Sequence, residues 1–294
     1  MNLKELSFPI RIYWDLTPLP DNPTVNYSRI AGQIVEMKFF ALNLLDTGHQ
    51  LSTPCIEILE QLKNENISVA LTASHDTLNP SAINDLKVRE LLVDVSSKAD
   101  LPLIVDSMKK NKDRKMTIGV SFQVIEDNYS SIPDIVSYCL NNEIARIVFP
   151  MQRLTTKSSC FYISRKDGEV LTRKLNKFDI KDMNITIHDP FLWRIFYPAV
   201  SFPGGGCQAA NSMAYISPDG KVYPCPSMPI ELGDLNKTPL RTILSSVYKK
   251  ELVKSLQEPP EKCLGCEEIS GCMGGCTGRV FVLSGSLAER DPAC

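Results

Sequence analysis

Short apolar, β-favouring runs recur along the first part of the chain, at Pro9–Asp15, Phe39–Leu45, Ser68–Ala73, Glu90–Val95, Met116–Val124 and Ala145–Phe149. Each starts some 20 to 30 residues after the last, which is the period of a strand plus a helix. Between them lie helix-like stretches, Tyr27–Lys38 and Thr53–Asn64, the second with Ile56, Ile58, Leu59 and Leu62 clustered to one side. Thr53-Pro54 and Pro80-Ser81 supply helix starts with proline near the first turn, where its missing N–H is not needed. Six strands alternating with helices imply parallel neighbours joined by right-handed crossovers. An open doubly wound sheet and an incomplete (β/α) barrel both satisfy that pattern.

The period fades after Phe149. Thr155–Asp182 is more polar, and Ile185–Pro190 reads as a last short strand turning into Phe191–Tyr197. A domain boundary is expected between residues 190 and 205, giving a front part of residues 1–195 and a back part of residues 196–294. Ser201–Gly206 is glycine-rich but lacks the spacing and the strand-to-helix context of a phosphate loop, so it reads as a linker or a wrapping loop. Lys109–Lys115 is the densest basic run and reads as a solvated helix C-terminus. Trp14 and Trp193 sit among apolar neighbours and read as packing.

Composition narrows the function classes. The chain has 294 residues, 43% of them hydrophobic, which is enough for a substantial core. Thirty-two Lys and Arg against 34 Asp and Glu leave no basic excess for a nucleic-acid surface. No apolar run reaches the roughly 18 to 20 residues that span a bilayer, and the first residues lack a signal peptide's apolar stretch. The expectation is a soluble, cytoplasmic protein with no nucleic-acid or membrane partner.

The ten cysteines change the picture. In a reducing compartment they need a purpose other than disulfides. Cys55 and Cys139 lie in helix-like stretches and read as small buried hydrophobes, and Cys160 stands apart. The other seven, Cys207, Cys225, Cys263, Cys266, Cys272, Cys276 and Cys294, crowd into the last third. Two short β runs flank Asp219-Gly220, a hairpin turn signal that brings the cysteines on either side together. Downstream, Cys263-x2-Cys266-x5-Cys272-x3-Cys276 is interleaved with glycines that let the backbone wrap closely around a compact centre. Cys294 follows Asp291-Pro292 at the end, where something must hold a terminal residue in place. Converging thiolates suit iron–sulfur clusters or a four-thiolate zinc, and spacing alone leaves both open.

The pattern Cys207-x12-Gly220-x4-Cys225, Cys263-x2-Cys266-x5-Cys272-x3-Cys276, Cys294 resembles the seven-cysteine SPASM domain, the auxiliary-cluster extension of radical S-adenosylmethionine (SAM) enzymes. Ser217–Pro226, Leu232–Leu235, Gly274–Cys276 and Asp291–Cys294 resemble it too. The resemblance implies two [4Fe–4S] clusters. Cys263, Cys266, Cys272 and Cys294 would hold the second, and Cys207, Cys225 and Cys276 the first, with three thiolates for four irons. The cysteine that completes the first cluster in other members has no counterpart in Ser201–Gly206. The fourth iron would then be open, or take a ligand from the fold such as Cys160 or His188, although a hydrogen-bonded structural role is the plainer reading of His188.

The front part resembles an incomplete (β/α)6 radical SAM barrel that has lost its radical chemistry, making the whole an α/β fold with a small cysteine-rich SPASM domain. The opening strand is there as Ile10–Thr17. In that register the three positions of the SAM-cleaving CxxxCxxC loop fall on Pro20, Thr24 and Tyr27, none a fit ligand for a cubane. The SAM-contacting Gly-Gly-Glu-Pro motif is reduced to Asp46-Thr47-Gly48-His49, so SAM binding is not expected, and Asp46 and His49 show no nucleophile pattern. The resemblance implies a pseudoenzyme partner of a radical SAM/SPASM enzyme that modifies a small precursor peptide, similar to the SPASM-domain protein of the GeoRSP system. Its clusters would relay electrons or anchor the peptide. Two alternatives are an autonomous enzyme using an open iron as a Lewis acid and a zinc-stabilised binding scaffold.

Overall fold

In the computed structural model, which describes residues 6–18, 25–75, 83, 86–110, 116–153 and 160–294, the apolar runs form strands β1 (Arg11–Asp15), β2 (Ala41–Asp46), β3 (Ser68–Ala73), β4 (Val88–Val95), β5 (Thr117–Phe122) and β6 (Arg146–Phe149). The last short run adds β7 (Asn184–Ile187), one parallel strand beyond the six counted from the period. All seven lie side by side in chain order and run parallel. That order removes the doubly wound alternative, in which strand order reverses partway along the sheet. The sheet also curls. Seven strands laid flat at about 4.8 Å each would hold β1 and β7 roughly 29 Å apart. Instead the rings of Tyr13 on β1 and His188 just past β7 meet edge to face at 5.9 Å. Asp15 at the end of β1 is bonded by Arg153, four residues past β6, at 2.5 Å. The front part is the incomplete barrel expected.

Helices α1 (Tyr27–Glu36), α2 (Thr53–Leu62), α3 (Leu101–Lys110), α4 (Ile132–Asn141) and α5 (Arg165–Leu175) connect the strands. Their apolar stripes meet the outward residues of the sheet, so Ile12 and Trp14 are fully buried and Trp14 stacks on Tyr27. Ser52 caps α2 by accepting from the Cys55 N–H, with Pro54 in the first turn. Cys55 and Cys139 have no solvent exposure, as small hydrophobes in a core do. The Trp14 indole N–H has no partner among the described residues although it is buried. Helix α5 lies in the polar stretch where the period was lost. Its mean hydropathy is low, and only Gly168, Leu171 and Leu175 face inward. Pro80-Ser81 and residues 111–115 of the basic run lie outside the described residues.

The cysteine-rich part continues the same sheet. Strand β8 (Met213–Ile216) pairs in parallel with the free side of β1, Tyr13 opposite Tyr215. Strand β9 (Lys221–Tyr223) returns antiparallel through the Asp219-Gly220 turn, where Gly220 takes a φ of 80° that favours glycine. A two-residue strand, β10 (Gly233–Asp234), completes ten strands. Helix α6 (Pro190–Phe196) follows β7 and packs on α5, and helices α7 (Leu240–Leu244), α8 (Val247–Leu256), α9 (Ile269–Cys272) and α10 (Thr277–Ser284) follow the hairpin. The Leu240 N–H donates to Gln33 Oε1 on α1 at 2.6 Å, and Arg29 donates to the Leu235 carbonyl, so the two parts are hydrogen-bonded together. Among the described residues no helix is long and apolar enough to cross a membrane.

Candidate metal centre

All ten cysteines are free thiols, and the fold gathers the predicted seven into two groups. The hairpin holds Cys207, ahead of β8, near Cys225, just beyond β9, with the Ala210 N–H donating to the Pro224 carbonyl at 2.9 Å. Cys276 precedes the first residue of α10 and completes this group. Burial pushes the Cys225 thiol well above its ordinary range, and the thiols of Cys207 and Cys276 push it further, so the three lie within mutual electrostatic reach. Burial likewise pushes Cys276 up to about 12. Against this desolvation, donors are aimed at the sulfurs. The N–H groups of Ala209 and Thr277 and the Thr277 hydroxyl donate to Cys207, and those of Ser227 and Met228 donate to Cys225. Such donors favour the thiolate over the thiol, as a metal ligand requires.

The second group is more open. Cys263 is buried, Cys272 half-buried, and Cys266 and Cys294 are exposed. Burial raises Cys263, with Cys294 and then Cys266 adding to the effect. Burial also raises Cys272, opposed by N–H donors from Gly274 and Gly275, with Cys294 and Cys263 nearby. Cys272 shares a cavity wall with Cys207, Cys225 and Cys276, so the groups adjoin. Among the described residues no three His, Cys, Asp or Glu side chains converge on a single-ion position. The donor set of clustered thiols with N–H donors and wrapping glycines fits a polynuclear iron–sulfur centre. At Gly275 the wrapping is tight: φ is 89°, and a Cβ there would stand 2.6 Å from the Asp291 side chain.

Arg279, Asp291 and Asp189 tie this centre to the barrel. Arg279 is 2% exposed and grips Asp291 through two bonds, Nε to Oδ1 at 2.9 Å and NH2 to Oδ2 at 2.7 Å, while its NH1 reaches Asp189. Asp291 also accepts from the N–H groups of Cys276 and Ala293 at 2.7 and 2.9 Å. One carboxylate therefore fixes a cysteine of the first group and the turn that carries Cys294. Asp189 caps α6 through the Phe191 and Leu192 N–H groups, which links the pair to the end of β7. Burial lowers the Arg279 pKa, but Asp189, the Cys276 thiol and Asp291 together outweigh it and the net shift is upward.

A cavity of about 280 Å³ lies between the thiol group and the barrel, walled by Met151, Phe161, Phe191, Trp193, Phe202 and His188 among others. The Ser201–Gly206 stretch does wrap this site, with Phe202, Pro203 and Gly206 on its wall. Trp193 packs against Phe202 and Tyr197. Among the described residues no hydrogen bond reaches the ring nitrogens of His188, unlike the structural histidine anticipated, and Tyr13 packs against it. Burial, with Arg11 and Arg146 adding to it, holds its pKa near 4, so the imidazole is neutral at neutral pH. Cys160 is half-buried and shares the neighbourhood of Arg279, Asp291 and Asp189.

A second pocket, of about 140 Å³, occupies the barrel interior, and His188 borders it as well. Its residues were missed from the sequence. Asp15 is 3% exposed, accepts two bonds from Arg153 at 2.5 and 2.8 Å, and takes a third from the Tyr215 hydroxyl at 3.0 Å. Asp94 faces the same space with its carboxyl raised to about 6 by burial, against the pull of Arg153 and a hydrogen bond with Ser121. Asn43 Oδ1 is buried there without a partner among the described residues. The available signal was period-2 polarity: Tyr13 and Asp15, Asn43, Asp94 and Ser121 occupy inward positions of otherwise apolar strands. Pro20 and Thr24 lie outside the described residues, and Tyr27 opens α1, its hydroxyl donating to the Pro218 carbonyl. Asp46 is fully buried and accepts from the Ser52 N–H at 2.7 Å, a loop-fixing role, and His49 is exposed.

Comparison with known proteins gives this geometry a context. Residues 207–267 match the family model for SPASM, described as an iron–sulfur cluster-binding domain. AdoMet-dependent heme synthase of Methanosarcina barkeri is 32% identical over 92 residues, which is 30% of this chain and 25% of that protein. The same enzyme of Nitratidesulfovibrio vulgaris is 29% identical over 89 residues, 30% of this chain and 24% of that protein. The chain thus spans about a quarter of the length of the curated relatives it matches. Among solved structures, Streptococcus suis SuiB bound to its precursor peptide SuiA superposes with a TM-score of 0.71 at 16% identity, over 99% of this chain and 77% of that one. Native anSMEcpe with bound AdoMet gives 0.64 at 13% identity, over 97% and 93%. The chain thus carries a SPASM iron–sulfur cluster-binding domain at residues 207–267, on a fold shared with SuiB and anSMEcpe.

Proposed function

We propose that the chain is an auxiliary-cluster protein that serves a radical SAM/SPASM enzyme during modification of a small precursor peptide, and that it has no SAM-cleaving cluster of its own. Cys207, Cys225 and Cys276 would hold the first [4Fe–4S] cluster, and Cys263, Cys266, Cys272 and Cys294 the second. When bound, such clusters supply one-electron carriers whose potential is set by burial and by hydrogen bonds to sulfur. The protein's part is to enclose Cys207, Cys225 and Cys276 more fully than the second group, to aim N–H donors at Cys207 and Cys225, and to leave Cys266 and Cys294 at the surface, as an electron relay needs. The expected location is the cytoplasm, and residues 1–195 and 196–294 are read as its two units.

The observation that carries this reading is the intact set of seven cysteines in two groups, beside a strand-to-helix segment, residues 16–26, that contains no cysteine. The end of β1, where that segment starts, is occupied by the Asp15–Arg153–Tyr215 network. SuiB, which shares the fold, is seen with a precursor peptide, and the aromatic cavity beside the inner thiols has room for a side chain of such a peptide. The test is SAM cleavage. Reconstituted without oxygen, reduced with dithionite and given SAM, the protein is expected to accept electrons and release no 5′-deoxyadenosine. Release of 5′-deoxyadenosine by the chain alone would overturn the reading.

A further inference from the structure

We infer that His188 is the fourth protein ligand of the first cluster, binding the iron that Cys207, Cys225 and Cys276 leave without a thiolate. The inference rests on the cluster assignment proposed above and names the residue that completes it. Three observations place the imidazole there. His188 and the three cysteines wall one cavity. Tyr13, whose ring meets His188 at 5.9 Å, is itself within electrostatic reach of the Cys225 thiol, so histidine and thiol flank the same tyrosine. The ring nitrogens carry no hydrogen bond among the described residues, although the side chain is largely enclosed between the cavity and the barrel pocket. A histidine in an interior normally fixes its tautomer by bonding one nitrogen to a carboxylate or carbonyl. Here Asp189, the adjacent carboxylate, is committed to Arg279 and to the cap of α6.

The position follows from the fold. His188 is the first residue past β7, the strand with no partner on its outer side, and the curl of the sheet turns this edge toward β1 and the hairpin that carries Cys225. His188 thus lines both the cavity that the thiols border and the pocket of the barrel interior. Imidazole is an accepted ligand of iron–sulfur centres and raises their potential relative to thiolate. A first cluster closed by His188 is coordinatively filled, which suits electron transfer and leaves no iron for Lewis-acid chemistry on a substrate.

The test uses the whole chain, which has three histidines, His49, His75 and His188. Protein labelled with 15N-histidine is reconstituted, reduced with dithionite and studied by pulsed electron paramagnetic resonance alongside an iron count. The expected result is an imidazole nitrogen coupled to a cluster, lost in His188→Gln while about eight irons per chain remain. In His188→Cys the nitrogen coupling should vanish, the cluster should persist, and its potential should fall. About eight irons with no nitrogen coupling in the unsubstituted protein would overturn the ligand assignment and leave the two-cluster reading standing. Coupling that survives His188→Gln would overturn it in favour of His49 or His75. About four irons, with the second cluster's signal alone, would overturn the two-cluster reading itself.

Discussion

Two buried charged residues show how much this fold depends on single groups. Asp94 holds its proton to about pH 6, chiefly through burial, with Arg153 and Ser121 pulling down and Asp100 adding to the rise. Between about pH 4 and 6 the folded chain therefore binds a proton that the unfolded chain has released. That contribution is complete below about pH 4 and is lost as the pH rises through 6. A rise of about two units corresponds to roughly 2 to 3 kcal/mol. Asp94→Asn should accordingly be more stable than the parent at pH 8, by up to about that amount, with the advantage shrinking toward pH 4; urea unfolding at both values measures it. Equal stabilities at pH 8 would show that the Arg153 charge already offsets the burial. Arg279 is the opposite case, a buried cation that needs its two carboxylates. Arg279→Met leaves Asp291 and Asp189 uncompensated and should cost about 3 to 5 kcal/mol. Arg279→Lys should recover little, because a lysine cannot reproduce the fork on Asp291. A urea midpoint for Arg279→Met close to the parent's would refute the anchoring role assigned to it.

At the scale of elements, the barrel interior is shaped by where side chains are absent. Arg146 on β6 crosses over β5 to reach Glu90 on β4 at 2.6 Å, and it can do so because Gly119 lies beneath it. A Cβ at Gly119 would stand 2.6 to 2.7 Å from the Arg146 side chain and carbonyl. Gly119→Ala should therefore cost about 1 to 3 kcal/mol through overpacking and should loosen the Arg146–Glu90 pair. A thermal scan checks the first effect, and a Gly119→Ala/Glu90→Gln double variant checks the second, since the Glu90 substitution should matter less once the pair is loosened. Most strands and helices were legible because their apolar runs bury one face in the regular period that the core imposes. Helix α5 was not, since it presents little apolar surface and is held by a few residues and by Ser164 at its cap. The strand order that separates a barrel from a doubly wound sheet depends on pairing between distant runs, which local periodicity does not encode.

For the molecule as a whole, one sheet of ten strands among the described residues joins a barrel to a cysteine-rich hairpin, and the candidate metal centre stands where the curl brings their ends together. The approach of Cys207 and Cys225 was readable from the hairpin turn between them, because local chain geometry brings such thiols together, whereas the grouping of Cys276 with them, apart from its chain neighbours Cys263, Cys266 and Cys272, was implied only by the resemblance to SPASM domains. The buried pairs Asp15–Arg153 and Asp291–Arg279 were not, since 138 and 12 residues separate the partners and nothing in the local pattern marks either as a pair. The proposed function rests on two clusters in these two thiol groups. The measurement that tests this most directly is the iron, sulfide and zinc content of the chain, purified and reconstituted without oxygen. Two cubanes predict about eight irons and eight sulfides per chain. Stoichiometric zinc with little iron would contradict the account and leave a binding scaffold in its place.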